Sequence, residues 1–387
     1  MHYLDYAATS AIRPPEVADA VHRFLTEVGA SPGRGGYGRS VESGRIAFRC
    51  RRALARILGV KGDPGRIAFM MNATHALNTA IHGVVQPGDA VVITPFDHNA
   101  VLRPVDDLAR RCQVEVRTIP AESTGELDLD RAAVLLEGAR LLVVNAVSNV
   151  LGTRLPLEEL AELARQRDVL VLVDAAQSAG QIPGSPVDAG ADLVAVTGHK
   201  SLLGPQGTGA LWVREGVDVR PFCTGGTGGD SARREMPDVY PDHLEAGTPN
   251  APGLAGLLAG CTRVLEEGVD RIHAREMELK ARLREGLTSL PGVRVCSPPD
   301  PNGSPVVTVV VPGQSPAETA RRLEREFSIM ARPGLHCAPE VHRLLGTLES
   351  GALRFSMGWA STGEDVDQVL HAMDVLSARP SAAASGP

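Results

Sequence analysis

Five short apolar runs, spread through the first half of the chain, constrain the fold more than any other feature. They read IAFMM at 67–71, AVVIT at 90–94, LLVVNAV at 141–147, VLVLVDA at 169–175 and DLVAVTG at 192–198. Each is rich in Val, Ile or Leu and bounded by Gly, Pro or Asp, which suits strands buried on both faces of a parallel sheet. Parallel neighbours need crossovers, and the helical patterns at 99–112 and 156–166 supply them. The expected fold class is therefore α/β, with ligands gathered at the carboxyl ends of the strands.

After Gly253 the pattern changes. Two long amphipathic segments at 253–267 and 270–289, separated at Gly268, precede VVTVVV at 306–311 and helices near 316–327 and 363–377. This reads as a smaller α+β domain following a large α/β domain over 15–252. The last residues, 379–387, end in PSAAASGP and read as a low-complexity, disordered tail.

Composition narrows the function. With 39 Lys+Arg against 46 Asp+Glu the net charge is −7, and no basic stripe offsets it, so nucleic acid is not an expected partner. Six cysteines at 50, 112, 223, 261, 296 and 337 form no CxxC pair; they read as reduced thiols of a cytoplasmic protein, and no metal site is expected. Five of them fall in segments that read as core or helix. No basic start followed by an apolar run opens the chain, and no apolar stretch has bilayer length, so neither export nor membrane insertion is expected.

Only three lysines occur, Lys61, Lys200 and Lys280. Lys200 follows the DLVAVTG run in TGHKSLLGPQGTG, together with Thr197 and His199, and Asp174 and Gln177 leave the preceding run in VDAAQSAG. A lysine between a buried strand and a glycine-rich turn is partly desolvated, which favours a neutral, nucleophilic amine. A carboxylate beside it is the partner that the pyridine nitrogen of a pyridoxal cofactor needs. Singly, Lys200 also reads as a solvated loop residue and Asp174 as a helix cap. Lys61, in the polar turn GVKGDPG, and Lys280, in the charged helix REMELKARLREG, do not compete as buried amines. MNATHALN opens a helix after a strand, so N–H groups near Ala73 and Thr74 suit a phosphate as well as an ordinary cap. His98, in FDHNAV, stands just past another strand, placed either to lie against a ring or simply exposed in a loop.

These segments, with YLDYAAT at 3–9, DHNAV at 97–101, VSNVLGT at 147–153, EAGTPN at 245–250, RPGLHCAP at 332–339 and LRFSMG at 353–358, resemble the cysteine desulfurases and selenocysteine lyases of the class V aminotransferase group. The likeness spans nearly the whole chain and is strongest to the sulfur-assimilation, group II branch. It implies the aspartate-aminotransferase (type I) fold, with a smaller domain made of 1–14 and 253–378. It implies pyridoxal 5′-phosphate held by Lys200, with Asp174 at the pyridine nitrogen, Gln177 at the ring hydroxyl and His98 stacked on the ring. Thr74, Thr197 and His199 would contact the phosphate, with Thr248 supplied by the other subunit of a homodimer. Asn149 and Arg354 would bind the carboxylate of L-cysteine or L-selenocysteine. Cys337, near Arg332 and His336, would take the sulfur as a persulfide, releasing alanine and awaiting a thiol or an acceptor protein.

Two departures accompany the likeness. Tyr37 in ASPGRGGYGRS stands where better-known members carry a histidine, and GGTGGDS at 225–231 fits either a cofactor-side or an interface loop. Other readings of the same residues are a selenocysteine lyase, a class V aminotransferase or C–S lyase in which Cys337 is dispensable, and a non-catalytic sulfur-carrier scaffold.

Overall fold

The computed structural model describes residues 1–33, 35–228 and 232–377. The expected tail at 379–387 lies outside them, as do Arg34 and residues 229–231 of the two glycine-rich segments. The five apolar runs form the strands Ile67–Met70, Ala90–Ile93, Leu141–Asn145, Leu170–Asp174 and Leu193–Thr197. Their side chains alternate between two apolar cores. Leu142, Val144, Val171, Val173, Val194 and Val196 enter one, and Leu141, Val143, Leu172, Leu193 and Ala195 enter the other. Burial on both faces is why these strands read as continuous apolar runs.

Two further strands complete a seven-stranded sheet in the order 67–70, 209–213, 193–197, 170–174, 141–145, 90–93, 115–118. All neighbours run parallel except Gly209–Val213, which is antiparallel to both strands beside it. Helices Ala73–Val84, Asn99–Cys112 and Leu157–Arg165 cover its faces.

Past Ala251 two helices, Ala251–Glu267 and Val269–Ser289, meet at Gly268, whose φ of 86° ends the first. The first packs on helices Pro15–Arg23 and Gly38–Leu58. A four-stranded antiparallel sheet follows, ordered 332–334, 352–356, 306–310, 294–295, and helices Pro316–Phe327 and Gly363–Ser377 close a third apolar core around Val307, Leu323, Phe355 and Val366. The amino terminus reaches this region: His2–Tyr3 pairs in parallel with Ile329–Met330, and Leu4 is buried in the same core. Among the described residues no helix is long and apolar enough to cross a membrane.

Two expectations are corrected. Lys280 is a buried amine: only 2% exposed, it donates to the Asp300 carbonyl at 3.3 Å, and burial pulls its pKa down to about 8. Its helix turns that face inward, where Glu276 one turn earlier is buried as well and accepts from Gln181 Nε2 at 2.8 Å, whereas Glu278, Arg282 and Glu285, which made the segment read as solvated, face outward. Cys223 belongs to neither core nor helix and is exposed in the loop after Val213.

Candidate active site

The parallel strands deliver their last residues to one edge of the sheet. Asp174 pairs with Asn145 on one side and Ala195 on the other, so the exits of three strands lie abreast. A cavity of about 250 Å³ opens there, and Ala73, Thr74, His98, Asn149, Asp174, Gln177, Thr197, His199, Lys200 and Arg354 all line it. Ten residues chosen from the sequence thus converge on one cavity. Thr248 and Cys337 are not among its lining residues. Thr248 is exposed, and Cys337 lies just behind the lining residues Arg332 and His336, with Arg332 Nη2 at 4.0 Å from its Sγ. Tyr37 is 61% exposed, caps the start of helix Gly38–Leu58 and stays outside the cavity.

Lys200 sits in the turn after strand Leu193–Thr197. Burial pulls its pKa down to about 8; Asp174 opposes that shift, while the Arg354 and Arg332 guanidiniums add to it. Among the described residues its amine has no hydrogen-bond partner, which leaves it free to meet a ligand in the cavity. Asp174 is buried, and burial raises its pKa against the opposing pull of the Ala176 N–H, which its Oδ1 accepts at 2.9 Å, and of Lys200.

His98 caps helix Asn99–Cys112. Its Nδ1 accepts from the Ala100 N–H at 3.0 Å, so the neutral ring carries its proton on Nε2. Burial, then the charges of Lys200, Arg332, Arg103 and Arg354, push its pKa down to about 4, keeping the ring neutral near pH 7. His199 is likewise driven to about 4 by burial, Lys200 and Arg13.

The phosphate-sized end is built by helix Ala73–Val84. Asn72 caps it by accepting the His75 N–H, leaving the N–H groups of Ala73 and Thr74 without partners among the described residues. Thr197 Oγ1 is buried with no partner, as is Asn149 Oδ1. Such orphaned groups are costly unless a ligand completes them.

The amino-terminal segment closes the far side. Gln177 donates to the Ala7 carbonyl at 3.0 Å, Ser10 Oγ to the Lys200 carbonyl at 3.0 Å, and Thr9 Oγ1 to the His199 carbonyl at 3.2 Å. Arg354 is fully buried, donating to Asp5 Oδ1 at 2.8 Å and to the Asn149 carbonyl at 3.0 Å, while its Nε has no partner.

The sequence reading missed several of these groups. Asp5 and Asp97 lie inside the segments YLDYAAT and DHNAV but had no assigned role. Asp97 is fully buried, accepts from Thr94 N, Thr94 Oγ1 and Asn145 N, and is pushed up to about 7 by burial; it ties two strand ends together beneath His98. A buried acid flanking a ring histidine has no marker in sequence, since Asp next to His is equally common on a surface.

A sequence profile of the family Aminotransferase class-V matches residues 2–369. A probable cysteine desulfurase of Pyrococcus abyssi is 32% identical over 97% of this chain and 94% of its own, and one of Pseudomonas aeruginosa is 33% identical over 96% and 92%. An apo cysteine desulfurase structure from Thermococcus onnurineus NA1 superposes with a TM-score of 0.90 at 32% identity, covering 97% of this chain and 94% of that one. The chain belongs to the class V aminotransferase family, on its cysteine desulfurase branch, and has the pyridoxal-phosphate-dependent type I fold of that family.

The residues present fit pyridoxal phosphate. A desolvated lysine with a free amine, a buried carboxylate on the neighbouring strand, a neutral histidine at the cavity wall and orphaned donors at a helix start answer the ring and the phosphate respectively.

Proposed function

We propose that the protein is a cysteine desulfurase that converts L-cysteine to L-alanine and keeps the sulfur as a persulfide on Cys337. The observation that carries this is the placement of Cys337 directly behind the cavity-lining Arg332 and His336, with Arg332 Nη2 at 4.0 Å from its Sγ. A thiol there stands beside a guanidinium and next to the residues that line the cavity with Lys200 and Arg354.

In this reading Lys200 would hold pyridoxal phosphate through its amine, with Asp174 as the partner of the pyridine nitrogen, Gln177 as that of the ring hydroxyl and His98 as the residue beside the ring. Thr74, Thr197, His199 and the first-turn N–H groups at Ala73 and Thr74 would hold the phosphate. The bound cofactor supplies an electron sink that lets the substrate Cα lose a proton. Lys200 Nζ would be the base that takes that proton. Arg354 and Asn149 orient the substrate carboxylate, and the Asp5 contact fixes the guanidinium in advance. The Cys337 thiolate attacks the substrate sulfur: an S–S bond forms, the substrate C–S bond breaks, and the three-carbon product is reprotonated and leaves as alanine.

The reading includes a homodimer. Thr248 is exposed and is not among the residues lining the cavity of its own chain described above, which supports its service to the cavity of a second copy. It also includes a large domain over 15–252, a smaller one from 1–14 and 253–378, and a thiol or acceptor protein that clears the persulfide in the cytoplasm.

Intact-mass spectrometry after incubation with L-cysteine tests the proposal. One added sulfur on the wild type, none on Cys337→Ser, and alanine in the supernatant are expected. Pyruvate or a keto acid with an unmodified Cys337 would replace this reading with a C–S lyase or aminotransferase. Faster turnover of L-selenocysteine with Cys337 unmodified would replace it with a selenocysteine lyase.

A further inference from the structure

Among the described residues, His336 and Cys337 are two of six non-glycine residues with positive φ, at 53° and 59°. Left-handed backbone costs a non-glycine residue about 1 kcal/mol or more, so two in succession persist only where surroundings hold them. Two of the restraints are direct. The Asn99 N–H donates to the Cys337 carbonyl at 2.7 Å, and Asn149 Nδ2 to the His336 carbonyl at 2.7 Å.

The third restraint is a chain of side chains that no part of the reaction uses. His336 Nε2 lies 3.0 Å from the Arg332 carbonyl, His336 Nδ1 lies 3.3 Å from His342 Nε2, and His342 Nδ1 lies 2.8 Å from Thr347 Oγ1. His342 and Thr347 are buried and line no part of the cavity.

The proton positions follow by elimination. A carbonyl only accepts, so His336 Nε2 carries the hydrogen and donates to Arg332. Burial and the nearby Arg354 and Arg332 charges hold the His336 pKa down to about 3, so the ring is neutral and Nδ1 is an acceptor. His342 Nε2 must then donate to it, which makes His342 Nδ1 an acceptor for the Thr347 hydroxyl. The opposite tautomers would set a bare ring nitrogen against the Arg332 carbonyl. Donation thus runs one way, from Thr347 through His342 and His336 to Arg332, the residue whose guanidinium lies beside Cys337.

We propose that Thr347 and His342 are positioning residues: by fixing the His336 tautomer they clamp the 336–337 turn in its left-handed form and hold the Cys337 sulfur beside Arg332. This rests on the reading of Cys337 as sulfur acceptor, but the clamp itself is testable without turnover.

Iodoacetamide labelling of the purified full chain, followed by peptide mass spectrometry, gives the alkylation rate of Cys337 with exposed Cys223 as an internal standard. Thr347→Val keeps the shape and removes the hydroxyl, and Thr347→Ser restores it. The expected result is a Cys337 rate raised about tenfold over Cys223 in Thr347→Val, the factor that one lost hydrogen bond carries, and unchanged in Thr347→Ser. In the same samples the persulfide yield from L-cysteine should fall in Thr347→Val while the visible absorbance of the cofactor-loaded protein is retained. Equal Cys337 rates in all three proteins, or a rise at both cysteines together, would overturn the clamp. Nitrogen-15 spectra of histidine-labelled wild type supply a second check that needs no variant: both rings must be Nε2-protonated, and an Nδ1-protonated ring at either position removes the chain. Absence of any persulfide in the wild type would instead strike the desulfurase reading and leave the labelling result standing.

Discussion

Lys200 and Lys280 make a controlled pair, because burial pulls both amines down to about 8 and only their surroundings differ. Lys280, midway along helix Val269–Ser289, donates to the Asp300 carbonyl and is not among the residues lining the cavity. Lys200 has no such partner and faces the space between Asp174 and Arg354. A shifted pKa therefore marks burial, and an amine with no hydrogen-bond partner in a cavity that also holds an opposing carboxylate marks chemistry. Lys200→Ala should lose the visible absorbance of the pyridoxal-loaded protein and at least about a hundredfold of the alanine formation rate, while Lys280→Met keeps both. The pH dependence has a definite sign. The neutral amine is the nucleophile, and a pKa lowered from 10.5 to about 8 moves its appearance down the scale. Cofactor capture by the apo protein, followed by stopped-flow absorbance, should accelerate as pH rises through about 8 and level above it; a rise centred at the ordinary lysine value would show that Lys200 is solvated. Scarcity of lysine made Lys200 legible in the sequence. The burial of Lys280 was not, because its neighbours on the helix are charged and only the packing decides which face they take.

At the scale of elements, the sequence carried what is locally encoded. Strands buried on both faces announce themselves through Val and Ile, and helix Asn99–Cys112 starts and stops where its apolar period does. The edge strand Glu115–Thr118 has the sequence EVRT and no fully buried residue, so no apolar run marks it. Strand Gly209–Val213 was passed over for another reason: its antiparallel insertion between strands 67–70 and 193–197 is a matter of partners far apart in the chain. Gly209 shows what that insertion does for the site. A Cβ there would stand 2.7 Å from Asn72 Cα, 2.8 Å from Asn72 C and 2.8 Å from the Val196 carbonyl, all backbone atoms with little room to yield. Asn72 caps the helix whose first turn offers Ala73 and Thr74 to the phosphate, and Gly209 pairs with Thr197. Gly209→Ala should therefore push apart the two walls of the phosphate end and weaken cofactor affinity about tenfold, about 1.4 kcal/mol. Equilibrium titration of the apo variant with pyridoxal phosphate checks this, and unchanged affinity would mean that the helix start does not hold the phosphate.

Across the whole molecule, the cavity is assembled from segments hundreds of residues apart, and this is the part a linear reading sees least. Asn149 was picked from VSNVLGT, yet its position depends on the carboxyl-terminal third of the chain gripping the turn that follows it. Thr308 Oγ1 donates to the Val150 carbonyl at 2.6 Å, the Ser304 N–H to the Gly152 carbonyl at 2.8 Å, and the Arg154 N–H to Asp300 Oδ2 at 2.9 Å. The approach is so close that a Cβ on Gly303 would lie 2.0 Å from the Gly152 carbonyl oxygen. From Asn149 the contact continues through its Nδ2 to the His336 carbonyl, so the grip reaches the Cys337 turn. A disturbance at 303 or 308 should thus be felt at both ends of the site. Gly303→Ala forces two backbones apart and should cost roughly 1–3 kcal/mol, the range for overpacking, while Thr308→Val leaves the buried Val150 carbonyl unpaired at about 1–3 kcal/mol. The two substitutions act on one contact, so their effects should fall short of additive in denaturant unfolding. The functional consequence separates a grip from ordinary packing. If the grip sets Asn149, both variants should raise KM for L-cysteine while the cofactor, held by strands 170–174 and 193–197, keeps its absorbance. Additive destabilisation with an unaltered KM would mean that the turn carrying Asn149 holds its own shape without the carboxyl-terminal third.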